Sequence, residues 1–255
     1  MTDQTRKAEQ FRRLHVPGTP LILFNIWDAG GAKAVASGGA KAIATGSWSV
    51  ANANGFADGE LLPLRLAIDN LRRIVEATDL PVTVDLESGY GDFPEVVAET
   101  IGLAIEAKAV GCNLEDSFPA NGRLRETADQ AARIRRARQA ADAGNFRFFI
   151  NARTDIFFQR TPEHHNDAMV DEAIQRARAY ADAGADGIFA PGLVDISLIA
   201  RLAEASPLPL NIMIGDATPP VAALAQHGVA RVSYGPRPYL IAMRALEEAA
   251  RAAQE

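Results

Sequence analysis

The chain has 255 residues, 48% hydrophobic and 23% charged, with 26 basic against 32 acidic side chains and a net charge of −6. That is the make-up of a globular protein; it excludes disordered and fibrous classes, and with no dominant basic cluster neither nucleic acid nor a membrane surface is an expected partner. The single cysteine, Cys112, excludes an intramolecular disulfide and suits a reducing compartment.

In chain order, residues 1–15 read as an N-terminal helix or arm, polar and without an apolar signal core. Eight short apolar runs follow, at 21–29, 40–47, 80–88, 111–117, 146–154, 185–192, 207–215 and 229–236. They read as strands. Helical patterns lie between them. "LPLRLAIDNLRRIVEAT" spaces Leu64, Ile68, Leu71 and Val75 by three and four. "ETADQAARIRRARQAADAG" and "MVDEAIQRARAYADAG" each end in a Gly that stops a helix. Arg133, Arg135, Arg136 and Arg138 lie in the first of these and read as a solvated face. The Ala-rich stretch 239–254 offers an apolar face to a neighbouring copy. No Pro- or Ser-rich linker divides the chain, and no run of about 18 apolar residues suggests a membrane span. The expected protein is cytoplasmic. Eight strand–helix units predict one (β/α)8 TIM barrel over residues 1–255. A doubly wound sheet would carry a Gly-rich fingerprint after its first strand, and "FNIWDAGGAK" is not one.

Barrel active sites gather at the C-terminal ends of the strands. The second run ends in "TGSWS", before a loop that reaches Asp58. The third ends in "VTVDLESGYG", where alternation puts Asp85 and Glu87 on one side of an extended chain. Glu115 and Asp116 end the fourth, Asn151, Arg153 and Asp155 the fifth, and Asn211 lies in the seventh. Packed carboxylates need a cation. With none of the four histidines at a strand end, oxygen donors suit Mg²⁺, or Mn²⁺, rather than zinc. An arginine there offers a planar fork to a substrate carboxylate. With the backbone N–H groups of "TGS", this describes a site that binds a small 2-oxo acid and stabilises its enolate. The bland readings are ordinary strand-end acids at 85 and 87, an Arg153 paired internally with Asp155 or Asp116, and a buried, inert Cys112. Trp27 and Trp48 serve equally as packing or as pocket lids.

With these residues laid out, the sequence resembles the isocitrate lyase/phosphoenolpyruvate mutase superfamily from about residue 15 to 240. "VDLESGYG", "NLEDS", "INARTD" and "ADAGADGIF", in that order, carry the likeness. The resemblance implies a barrel in a homo-oligomer, a dimer or a tetramer with the last helix swapped, and a Mg²⁺ site that works through a pyruvate-like enolate. Position by position, it makes Asp85 the direct metal ligand, with Asp58, Glu87 and Glu115 holding the ion through water. It gives Gly46 and Ser47 the amides that bind the oxo acid, Arg153 the grip on its carboxylate, and Asn211 a substrate contact. It adds Glu115 and Asp58 to Arg153 as catalytic residues. Glu87 stands where the mutases carry Asp. The loop after the fourth strand, "EDSFPANGRLRE", has none of the Lys-Lys-Cys-Gly-His of the isocitrate and methylisocitrate lyases and no lysine of the mutases.

The expected function is therefore a Mg²⁺-dependent lyase or carboxy-lyase on a small 2-oxo or 2-hydroxy dicarboxylate, of oxaloacetate decarboxylase type. The alternatives are a phosphoenolpyruvate mutase or phosphonopyruvate hydrolase-like enzyme, a barrel that binds a 2-oxo acid without turning it over, and a phosphate site near Gly215 and Gly235.

Overall fold

The computed structural model describes residues 2–143 and 147–254. Its strands are β1 (Leu21–Leu23), β2 (Ile43–Ala44), β3 (Val82–Asp85), β4 (Gly111–Glu115), β5 (Phe149–Arg153), β6 (Gly187–Phe189), β7 (Leu210–Met213) and β8 (Arg231–Ser233). Each lies inside one of the eight expected runs; the fifth run begins at Phe146, outside the described residues. All pair in parallel, in the order β1-β8-β7-β6-β5-β4-β3-β2. The two ends of that series meet just past β1. The Ile26 N–H donates to Ala44 O at 2.9 Å, and the Gly46 N–H to Ile26 O at 3.2 Å. The result is the (β/α)8 barrel.

The helices are α1 (Asp3–Arg13), α2 (Ala29–Ser37), α3 (Ser47–Ala53), α4 (Leu64–Glu76), α5 (Pro94–Glu106), α6 (Thr127–Asp142), α7 (Asp167–Asp182), α8 (Ile196–Ala205), α9 (Val221–Gln226) and α10 (Arg237–Ala252). Alternate strand residues such as Val84, Cys112, Leu114, Ile150, Ile188, Ile212 and Val232 are buried with Ile74, Ile101, Ile134 and Leu202 of the helices. This layer is the core, and Cys112 belongs to it as a small apolar side chain. The other strand residues face the barrel axis, where polar groups predominate. Helix α1 packs across the N-terminal end: Phe11 meets Phe149 edge-on with centroids 5.5 Å apart, and His15 stacks on Phe149 at 4.1 Å. The open mouth is at the other end.

The basic run of α6 corrects the sequence reading. Arg135 and Arg136 are exposed, but Arg133 is 1% exposed. Its guanidinium donates to the carbonyls of Gly91 and Asp92, both at 2.6 Å, and to that of Ser88. Arg138 donates to Phe148 O at 2.9 Å and pairs with Asp186. Buried loop carbonyls need donors, and α6 lies against the β3–α5 loop that presents them. Arg133→Ala is expected to lower the free energy of unfolding in urea by roughly 2 kcal/mol or more, because it strands those acceptors. Helix α10 leaves Leu240, Ile241 and Leu246 more than half exposed, at 51%, 57% and 63%. Among the described residues no helix is long and apolar enough to cross a membrane.

Candidate active site

Asp85 ends β3 at the mouth. Its N–H donates to Thr45 Oγ1 at 2.9 Å, and its Oδ2 accepts from the Ser47 N–H at 3.1 Å. Its other oxygen, Oδ1, is buried and has no hydrogen-bond partner. A bare buried carboxylate oxygen is costly unless something positive comes to it.

Glu87 departs from the expected alternation. The strand ends at Asp85, and Glu87 takes a left-handed φ of 52°. Its carboxylate turns toward the α3–α4 loop, where Oε2 accepts from the N–H groups of Gly59 at 2.8 Å and Glu60 at 2.6 Å. Glu60 reciprocates: its Oε1 accepts from the Ser88 hydroxyl at 2.6 Å and the Tyr90 N–H at 2.7 Å. The loop carrying Asp58 is thereby fastened to the end of β3. Asp85 and Glu87 still border one small cavity of about 20 Å³, enough for one water.

The register sets Glu115 beside Arg153, and Arg153 beside Phe189. Arg153 donates from Nε to Asp155 Oδ1 at 2.6 Å and from an Nη to Asp155 Oδ2 at 3.0 Å. Its other Nη lies 2.8 Å from Glu115 Oε2. The internal pairing foreseen with Asp155 is present, and Glu115 is its second partner. Asp116 is not at the mouth. It is fully buried behind the barrel wall and accepts from the Asp155 N–H at 2.9 Å, the Tyr180 hydroxyl at 2.8 Å and Arg176 at 3.1 Å.

A cavity of about 180 Å³ opens at the mouth, bordered by Gly46, Ser47, Asp58, Asp85, Asn113 and Arg153 on its polar side. The two amides expected to bind an oxo acid are engaged, Gly46 with Ile26 and Ser47 with Asp85. Asn211 lies one layer down, fully buried and hydrogen-bonded to Ser233 at 3.2 Å; Met213 and Ser233 reach the cavity there instead. The amides of Gly215 and Gly235, near which the phosphate reading lay, donate to Thr218 Oγ1 and Asn25 Oδ1. The sequence reading missed Asn113. It lies two residues before Glu115 and so faces inward with it, and its Oδ1 accepts from Asn151 at 2.9 Å and Arg231 at 3.1 Å. Period 2 along "NLED" was the available signal.

Burial, with the charges of Asp58 and Asp85, pushes the Glu87 carboxyl up to about 7. Burial pushes Glu115 up to about 8 against the pull of Arg153. Burial and Asp85 also raise Asp58. Burial alone would lower the arginine, but Glu115 and Asp155 outweigh it and hold the guanidinium cationic. Among the described residues no three of the His, Cys, Asp and Glu side chains are close enough to hold an ion directly. An all-oxygen donor set, one orphaned carboxylate oxygen and carboxyls set further back fit Mg²⁺, which keeps several waters and takes one or two carboxylates. The pH dependence follows in sign. The folded protein holds protons that the unfolded chain releases above the usual value of 4.5. Without metal, the contribution of these two groups to stability is therefore full below about pH 4.5 and declines as pH rises toward 7 and 8. A cation binds the ionised carboxylates, so Mg²⁺ is expected to raise the Tm more at pH 8 than at pH 6 in scanning calorimetry, with protons released on binding.

The fold and this mouth define a class: (β/α)8 barrels with a ring of carboxylates and a clamped arginine at the C-terminal ends of the strands. The chain belongs to the phosphoenolpyruvate phosphomutase family, whose model matches residues 11–254, within the isocitrate lyase/phosphoenolpyruvate mutase superfamily. A protein of solved structure from Burkholderia cenocepacia J2315, provisionally called a phosphonomutase, is 57% identical, with a TM-score of 0.96 over 98% of this chain and 99% of that one. An uncharacterised protein of Mycobacterium tuberculosis (strain ATCC 25618 / H37Rv) is 36% identical over 246 residues, 96% of this chain and 89% of its own. The 2-methylisocitrate lyase of Escherichia coli (strain K12) is 30% identical over 178 residues, 66% of this chain and 57% of its own.

Proposed function

We propose that the chain is a Mg²⁺-dependent lyase that forms an enolpyruvate-type intermediate from a small 2-oxo or 2-hydroxy dicarboxylate. The observation that carries this is that Asp85, whose Oδ1 is buried and without a partner, borders the same cavity as Arg153. Asp85 would hold the metal directly, with Asp58, Glu87 and Glu115 supporting its water shell. The bound ion supplies Lewis-acid stabilisation of negative charge on the substrate's 2-oxo oxygen. Arg153, fixed by Asp155 and Glu115, presents its remaining N–H groups to the substrate carboxylate and orients the acid in the cavity. The amides of Gly46 and Ser47 hold the end of β2 and Asp85 in place. The loop 117–126 brings no Cys, Lys or His, which suits chemistry in which the departing fragment needs little acid catalysis.

A phosphoenolpyruvate mutase-like reaction is less well served, because a transferred phosphoryl group needs cationic partners. Of the loop's two arginines, Arg125 is held by Asp92 at 2.7 Å and lies over the Phe118 ring at 4.0 Å, which leaves the exposed Arg123. Assembly into a homo-oligomer through the exposed apolar residues of α10 is part of the same proposal, and sedimentation measures it. The catalytic reading is tested by incubating the protein with pyruvate in D₂O and following the methyl signal by NMR. Deuterium uptake that requires Mg²⁺ and stops with chelator is expected. Binding of pyruvate without exchange would overturn the catalytic reading in favour of a binding barrel.

A further inference from the structure

Arg231 is a buried cation with little to hold it. It reaches into the barrel from β8, is 1% exposed and does not border the mouth cavity. Its one hydrogen bond runs from an Nη to Asn113 Oδ1 at 3.1 Å. Its Nε and its other Nη are buried without a partner. Burial lowers the guanidinium to about 9 against the pull of Asp85. An uncompensated buried charge is costly, and an apolar side chain would serve the fold better. What Arg231 does hold is Asn113.

Asn113 is oriented by its buried neighbours. Arginine can only donate, so the Asn113 atom that faces it is the carbonyl oxygen. Asn151 Nδ2 donates to the same oxygen at 2.9 Å. Gly187, beside Asn151 in the register of β5 and β6, leaves room for that amide: a Cβ there would come within 2.7 Å of Asn151 Oδ1. With Oδ1 taken by two buried donors, the free edge of the Asn113 amide is Nδ2, which has no hydrogen-bond partner among the described residues. Asn113 is 4% exposed and borders the mouth cavity, beside Asp85 in the register of β3 and β4 and in company with Arg153. The amides of Gly46 and Ser47 are engaged elsewhere, so Nδ2 is a free N–H donor where they are not.

We infer that Asn113 is a substrate-binding residue whose Nδ2 donates to an oxygen of the bound oxo acid, and that Arg231 is the positioning residue that keeps this donor turned toward the cavity. This rests on the 2-oxo acid reading above. The cation on the carbonyl side also polarises the amide, which makes its N–H a stronger donor to a negatively charged oxygen.

The test takes Arg231→Met first, then adds Asn113→Leu to that variant, where Asn113 no longer has a charge to hold in place. Pyruvate binding is followed by tryptophan fluorescence, since Trp48 lines the cavity, alongside deuterium exchange and melting with and without Mg²⁺. Arg231→Met should melt no lower than the parent protein, because it removes an unpaired buried charge, yet bind pyruvate roughly tenfold more weakly. Asn113→Leu in that background should weaken binding by about a further tenfold and slow exchange by about a hundredfold. Mg²⁺ should still raise the Tm of both variants. A further loss of less than twofold on adding Asn113→Leu would overturn the inference and leave Asn113 as no more than a structural partner of Arg231. Loss of the Mg²⁺ effect on Tm in either variant would also overturn it, since these residues would then act through the metal. Pyruvate binding without exchange in the parent protein, with the same two losses of binding, would uphold the inference and overturn the catalytic reading. Neither binding nor exchange in the parent protein would overturn both.

Discussion

Asp85→Asn is expected to abolish Mg²⁺-dependent exchange while making the metal-free protein more stable. Asparagine keeps an acceptor for the Ser47 N–H but removes the charge. With the charge gone, the ion loses its one direct carboxylate, and exchange should fall by about a thousandfold or more. The Mg²⁺-induced rise in Tm should vanish with it. In the metal-free protein the same change removes a like charge beside Asp58 and Glu87. A gain of about 1–2 kcal/mol follows. Opposite signs in the two measurements mark a residue kept for function at the expense of stability. A destabilised variant that still exchanged deuterium would make Asp85 a structural acid.

Asp116→Ala should be the most damaging single change to the fold at the mouth. It leaves Arg176, 5% exposed, and the Tyr180 hydroxyl without their buried acceptor. Removing one partner of a buried ion pair costs about 3–5 kcal/mol. For a chain of this size that is a fall in Tm of roughly 10 °C. The damage reaches the site, because Asp116 also holds the Asp155 N–H and Asp155 clamps Arg153. Asp116→Asn, which keeps an acceptor there, should lose far less in the same melts. Equal losses from both variants would show that the charge rather than the hydrogen bonds is what matters.

The sequence made the barrel legible because its signal is local. Each strand is a short apolar run, and each amphipathic helix repeats at three and four, so eight units could be read one at a time. The acids and the arginine of the mouth were legible for the same reason: they lie where strands end. What was not legible depends on where an element stops and what meets it in space. Asp85 and Glu87 looked like a same-face pair, but β3 ends at Asp85 and the left-handed turn at Glu87 sends that carboxylate to the amides of Gly59 and Glu60, 28 and 27 residues earlier. Asp116, adjacent to Glu115, faces the opposite side of the wall and meets Arg176, 60 residues away. Arg133 looked solvated because arginines usually are, and only the packing of α6 on the β3–α5 loop shows its carbonyl partners. The apolar lining of the cavity comes from single residues on α3, β6, β7 and the loops after β5, β6 and β8. No contiguous stretch announces it.

In the proposed mechanism the Asp85 carboxylate holds a divalent ion facing the oxo-acid cavity. The most direct measurement is an anomalous difference map from crystals of the protein grown with Mn²⁺ and pyruvate. One strong peak is expected at the mouth, on the Asp85 carboxylate, with the pyruvate carboxylate on Arg153. Saturating Mn²⁺ with no peak at Asp85, or with pyruvate seated away from it, would show that Asp85 does not hold the ion for an oxo acid.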